Sequence, residues 1–141
     1  MNFPFKKKVI SENETSEIAK DFASILTNGD IVALTGNLGS GKTFFVKGVC
    51  TKFKINNVSS PSFAIVNIYQ GEIEINHFDF YRIKKIEELY DIGFEEYLND
   101  DNAITFIEWA EMFPELMPKR YYHVKIEFVN DSERIISINK I

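Results

Sequence analysis

The sequence predicts an α/β domain with a mixed sheet, and three observations carry that prediction. Two short, almost continuously apolar runs, Ile31–Thr35 (IVALT) and residues 103–107 (AITFI), have the character of strands covered on both faces. Segments with apolar residues at helical spacing stand between strands. Two strand pairs, joined around Gln70-Gly71 and Asn130-Asp131-Ser132-Glu133, add antiparallel hairpins, so a purely doubly wound sheet is not expected.

Taken in order, residues 5–10 form a first strand. Residues 15–26 follow as a helix, with Ile18, Ala19, Phe22, Ile25 and Leu26 on one face, and Asn28-Gly29-Asp30 stops it. After the strand Ile31–Thr35, a second helix starts within Gly41-Lys42-Thr43 and turns Val46, Val49, Cys50 and Phe53 inward at i, i+3, i+4 and i+7. Residues 63–69 and 72–80 pair as strands. Residues 84–91 are helical up to Gly93, and residues 94–98 add another turn. The apolar strand at 103–107 ends at Glu108, and strands at 121–129 and 134–138 close the chain.

At 141 residues, with 45% hydrophobic and 26% charged residues, one domain spanning 1–141 is expected, without linker, repeat or low-complexity tract. Thirteen Phe and six Tyr supply large rings to bury. Cys50 is the only cysteine, which excludes an intramolecular disulfide and a cysteine zinc cluster and favours a reducing cytoplasm. Lys6, Lys7 and Lys8 run through Val9 and Ile10 into Ser11, Glu12 and Asn13, leaving no apolar stretch for a secretory leader. No run approaches the roughly 20 apolar residues of a membrane helix, so no membrane partner is expected.

The net charge of -5 is unevenly placed. Residues 86–118 hold ten acidic residues and no Lys or Arg, while the remainder carries 16 basic against 11 acidic. Such a block is either a solvated helix face or a surface that steers towards a basic partner. The overall acidity argues against direct, high-affinity nucleic-acid binding, which depends on Lys and Arg at phosphates.

Gly36-Asn37-Leu38-Gly39-Ser40-Gly41-Lys42-Thr43 fits G-x-x-x-x-G-K-[ST] without deviation, after an apolar strand and before an amphipathic helix. Small residues let the backbone wrap an anion, successive N–H groups point at phosphate oxygens, and the helix N-terminus adds positive potential. The motif predicts a P-loop NTPase-like domain in which Lys42 reaches the β- and γ-phosphates and the Thr43 hydroxyl ligates Mg²⁺. Two carboxylates are available to hold that ion or orient water: Glu108, at the end of a Walker B-like strand, and Asp79, in His77-Phe78-Asp79-Phe80-Tyr81-Arg82. Guanine recognition by an N-K-x-D loop is not supported, since Asn139-Lys140 is followed only by Ile141, so ATP/ADP is the expected nucleotide.

Four ordered blocks, the phosphate loop, Ser60-Pro61-Ser62-Phe63, His77-x-Asp79-x-Tyr81-Arg82 and Ile107-Glu108-Trp109, make the chain resemble the bacterial TsaE family of tRNA threonylcarbamoyladenosine biosynthesis ATPases over nearly its whole length. Ser62 stands where the family usually has Thr, and Ala110 where it often has Pro. The resemblance implies a slow, partner-activated Mg²⁺-dependent ATPase. It would support TsaB and TsaD in modifying the adenosine 3′ of the tRNA anticodon, meeting tRNA only through those partners. It further implies Thr43, Glu108 and Asp79 as metal-site residues, with Lys42, Asp79 and Glu108 catalytic. Phe44 and Ser62 join the loop in nucleotide binding, along with Thr15 and Arg134 from the two ends of the chain. His77, Tyr81, Arg82 and Trp109 are implied for a catalytic or partner-facing rim. A small-molecule kinase and a non-hydrolysing ATP-dependent docking switch are the competing functions, because both would present the same nucleotide end.

Overall fold

The two apolar runs become the centre of a seven-stranded sheet in a computed structural model that describes residues 1–59 and 64–141. The strands are β1 (Phe5–Val9), β2 (Ile31–Thr35), β3 (Val66–Gln70), β4 (Glu74–Asp79), β5 (Ala103–Glu108), β6 (Tyr122–Phe128) and β7 (Arg134–Lys140). Their order across the sheet is β1-β7-β6-β2-β5-β4-β3. The middle pairs, β6 with β2, β2 with β5 and β5 with β4, are parallel. The flanking pairs, β3 with β4, β6 with β7 and β7 with β1, are antiparallel. The mixed sheet expected from the two hairpins is the one observed. β2 and β5 are buried on both faces because each has a parallel neighbour on either side and helices above and below.

Helix α1 (Glu12–Ala23) begins three residues earlier than its apolar spacing suggests. Ser11 caps it, accepting the Glu14 N–H at 3.2 Å, while Glu14 Oε2 accepts the Ile10 N–H at 2.8 Å. This exchange resembles a capping box and satisfies N–H groups that the first turn cannot. Thr15 therefore lies inside the first turns rather than at the start. Helix α2 (Lys42–Lys52) follows the phosphate loop and packs on α1 so closely that a Cβ at Gly48 would lie 2.7 Å from that of Ala19.

One core layer joins Ile18, Ala19 and Phe22 of α1 and Phe45, Val46 and Val49 of α2 to Val32, Leu34, Ile104, Phe106 and Val124 of the sheet. Burying each of the larger side chains contributes roughly 1.5–3 kcal/mol. Phe53 is only half-buried, at the end of the inward stripe predicted for α2. The opposite face packs Ala33, Phe78, Phe80 and Ile107 against Leu89 of α3 (Glu87–Asp91) and Phe94 of α4 (Phe94–Leu98). Five of the acidic side chains predicted for this region, Glu87, Glu88, Asp91, Glu95 and Glu96, point from α3 and α4 into solvent. Among the described residues, no helix is long and apolar enough to cross a membrane.

Alternation along β4 and β5 decides where the chemistry goes. Ile75, His77 and Asp79 share the face that meets α2, and so do Ile104, Phe106 and Glu108. Because β2, β4 and β5 run parallel, their C-terminal ends converge at one edge, where the phosphate loop begins.

Candidate functional site

The loop at residues 36–43 adopts the backbone that its glycines permit. Gly36, at φ +147°, passes so close to β6 that a Cβ there would lie 2.3 Å from the Ile126 carbonyl oxygen. Gly41, at φ +108°, turns the chain into α2. Lys42, buried at the first position of that helix, folds its side chain back so that Nζ donates to the carbonyls of Gly36 at 2.6 Å and Asn37 at 3.0 Å. Burial pushes its pKa down, and the nearby carboxylates of Glu108, Glu111 and Asp79 pull it back up.

Across the sheet edge, Glu108 is itself buried, not a solvated strand-end carboxylate. The Thr43 hydroxyl lies 3.1 Å from its Oε1 and 3.0 Å from its Oε2, and His77 Nε2 lies 2.5 Å from Oε2. Asp79 is the register partner of Glu108 on β4, and its Oδ1 accepts the Tyr81 N–H at 2.9 Å. Trp109 follows with φ +59°, a left-handed backbone that is uncommon for a bulky residue. Its N–H donates to the Leu34 carbonyl, which pins the turn to β2. The ring then covers the Lys42 ammonium, 4.2 Å from its centroid, and meets Tyr81 at 4.8 Å.

Two cavities flank the loop. One, of about 690 Å³, is lined by Lys42, Thr43, Asp79, Glu108, Tyr81, Arg82 and Trp109 among others. The second, of about 450 Å³, lies towards β1 and β7 and is lined by Thr15, Gly39, Ser40, Gly41, Phe44 and Arg134. Arg134 is not a solvated hairpin charge: its Nε donates to the Ser40 carbonyl at 3.0 Å, and its guanidinium lies over the Phe128 ring. Ser40 Oγ, buried against this cavity, has no hydrogen-bond partner, the one such side-chain atom among the described residues. An orphaned buried hydroxyl at the edge of a cavity suits a ligand with polar atoms.

The acid set also suits magnesium shared with phosphate. No group of three or more His, Cys, Asp or Glu among the described residues could hold a metal alone, and Mg²⁺ is ordinarily held by one or two carboxylates together with phosphate oxygens and water. Thr43, Glu108 and Asp79 are the groups at this edge that could contribute to such a partial shell.

The structure thus brings Lys42, Thr43, Asp79 and Glu108 into one cavity, and Thr15, Phe44 and Arg134 into the other. Ser62 lies outside the described residues. His77 departs from the rim expected for it: fully buried beneath Glu108, it faces α2 because it shares Asp79's side of β4 one pleat further in. Tyr81 and Arg82 are exposed at the mouth and Trp109 is half-buried there. Sequence reasoning missed Glu111, whose Oε2 accepts the Gly36 N–H at 3.4 Å from the short turn Ala110–Met112, and Tyr69, which reaches His77 from β3. Glu111 is masked in sequence by the acidic block around it.

A sequence model described as "Threonylcarbamoyl adenosine biosynthesis protein TsaE" matches residues 9–136. The chain belongs to the TsaE family. A tRNA threonylcarbamoyladenosine biosynthesis protein TsaE from Rickettsia typhi is 41% identical over 133 residues, covering 92% of this chain and 91% of the relative. A TsaE protein of the same description from Bacillus subtilis is 33% identical, covering 96% and 85%. The crystal structure of Bacillus subtilis YdiB superposes with a TM-score of 0.79 at 29% identity, over 98% of this chain and 86% of that one. The TsaE family therefore accounts for the whole sheet, not only for the phosphate loop that many families share.

Proposed function

We propose that this TsaE-family chain binds Mg²⁺-ATP at residues 36–43 and hydrolyses it slowly in support of threonylcarbamoyladenosine formation on tRNA, in the cytoplasm, with TsaB and TsaD as partners that raise its turnover. The observation that carries the reading is the closure of Thr43 on Glu108 across β2 and β5, with Lys42 buried beside it. An unrelated glycine-rich turn has no need of a buried carboxylate facing its first helical hydroxyl.

The loop amides and Lys42 would cradle the β- and γ-phosphates, the ammonium leaving the Gly36 and Asn37 carbonyls for the stronger anion. Thr43 and Glu108, with Asp79 beside them, would hold the metal. Bound Mg²⁺ supplies neutralisation of charge on the phosphates. One of the two carboxylates accepts a hydrogen bond from the attacking water and aligns it with the γ-phosphate. Thr15, Phe44 and Arg134 would receive the nucleoside end in the second cavity. Tyr81, Arg82 and Trp109, at the mouth of the first, are the surface a partner would meet nearest the phosphates. Binding to tRNA would pass through the partners, consistent with the net charge of -5.

Steady-state ATP hydrolysis by the purified chain, alone and with TsaB and TsaD, tests the reading, with Lys42→Ala as the blank. Partner stimulation of a low basal rate is expected. An unchanged rate would remove the partner-activated ATPase, and sustained tRNA modification with a nonhydrolysable analogue would leave a docking switch in its place.

A further inference from the structure

One fully buried polar side chain has no part in the chemistry above. His77 sits on β4 with both ring nitrogens engaged. Nε2 faces Glu108 Oε2, and since a carboxylate only accepts, Nε2 donates whatever the charge on the ring. Nδ1 lies 3.1 Å from the Tyr69 hydroxyl, a diagonal neighbour across the β3–β4 hairpin. That hydroxyl continues to the main chain, accepting the Ser59 N–H at 3.3 Å and lying 2.9 Å from the Ser59 carbonyl, so its single proton is shared between that carbonyl and Nδ1. Asn67 Nδ2 reaches the same two oxygens, at 3.3 and 3.4 Å.

The chain of contacts Ser59, Tyr69, His77, Glu108, Thr43 crosses three adjacent strands and ends at the first turn of α2. A position that needed only packing would be filled as its face neighbour Ile75 is, because a buried imidazole is costly unless both nitrogens are paired. The Glu108 carboxylate also needs orienting. Thr43 has one proton and is almost equidistant from both oxygens, so it does not choose between them. His77 does, by occupying Oε2.

Resting on the reading of Glu108 as a metal-site carboxylate, we propose that His77 is a positioning residue that fixes the rotation of Glu108. Through Tyr69 it ties that rotation to the backbone at Ser59. A ligand or partner that displaces the chain at Ser59 thereby alters the support of the carboxylate from a distance, without touching it.

The test is ATP affinity with and without Mg²⁺, with thermal melting alongside, in the wild type, Tyr69→Phe, His77→Leu, His77→Gln, Glu108→Gln and Lys42→Ala. The gain in affinity on adding Mg²⁺ should fall about threefold to tenfold in Tyr69→Phe, the loss of one hydrogen bond. It should fall about 10–100-fold in His77→Leu, the usual range for an outer partner of a metal ligand. His77→Gln, whose amide N–H reaches the place of Nε2, should recover much of that gain. Affinity without Mg²⁺ should stay at the wild-type value in all three. A purely structural role would lower the melting temperature and leave the Mg²⁺ gain intact, which overturns the proposal. If His77→Leu does not fold, Tyr69→Phe decides alone. If Glu108→Gln loses the gain and Tyr69→Phe keeps it, the site stands and only this proposal falls. If the wild type shows no Mg²⁺ gain, or no binding that Lys42→Ala removes, the site reading fails and takes the proposal with it.

Discussion

Asp79 and Glu108 occupy paired positions on β4 and β5, so two carboxylates stand abreast at the ends of adjacent parallel strands. They are not equivalent: Glu108 is committed to Thr43 and His77, whereas Asp79 holds the Tyr81 N–H at the cavity wall. Glu108→Gln and Asp79→Asn should each lower single-turnover hydrolysis by about 100-fold or more, the range for a lost acid–base or water-orienting group. ATP affinity measured by calorimetry without Mg²⁺ should change far less. Equal loss of binding and turnover in both would show that neither carboxylate acts on the reacting water.

Gly36→Ala should be poorly tolerated. Its Cβ would meet the Ile126 carbonyl oxygen at 2.3 Å, and its φ of +147° is one that side chains avoid, costing about 1–3 kcal/mol for the backbone alone. Chemical denaturation should show the loss of stability even without nucleotide. Unchanged stability would mean that the loop and β6 separate easily.

Arg134→Lys is expected to weaken ATP binding by about twofold to tenfold while retaining charge, because a lysine cannot keep both the Nε bond to Ser40 and the two carbonyl contacts at Asn130 and Glu133. Titration of ATP into the variant measures this. Wild-type affinity would show that the brace is dispensable.

His123 gives the fold a pH dependence away from the acids. Its Nε2 lies 2.8 Å from the Thr35 hydroxyl, and burial pushes its pKa below 6.5, with Lys125 acting the same way and Glu111 opposing. Between that lowered value and 6.5 the unfolded chain holds the proton and the folded chain does not, so stability rises with pH and is lost on acidification through this window. Urea unfolding from pH 7.5 to 5 should show the fall, and His123→Gln should flatten it. An identical slope in the variant would assign the effect elsewhere.

The phosphate loop was legible because its chemistry is written in eight consecutive residues, and β2 and β5 because strands buried on both faces are apolar throughout. Apolar periodicity begins only at Thr15 and so hides the start of α1, although Ser11 and Glu14 stand at capping spacing. The burial of His77 is hidden from the sequence for a deeper reason. Its alternation with Asp79 shows that the two share a face, and the hairpin that brings Tyr69 beside it is legible around Gln70-Gly71, but its place beneath Glu108 depends on β5 lying beside β4. That is a fact of strand order, and no local pattern carries strand order.

Ninety-four residues separate Ser40 from the arginine that braces its carbonyl. A ribosome adding roughly 5–20 residues each second makes the loop wait on the order of 5–20 seconds for that contact, and β6, which lines its other side, arrives in the same interval. Emerging chains therefore display the nucleotide motif well before they possess its scaffold. Competence for ATP is among the last properties the growing polypeptide acquires, so truncated translation products should not compete with finished molecules for the nucleotide.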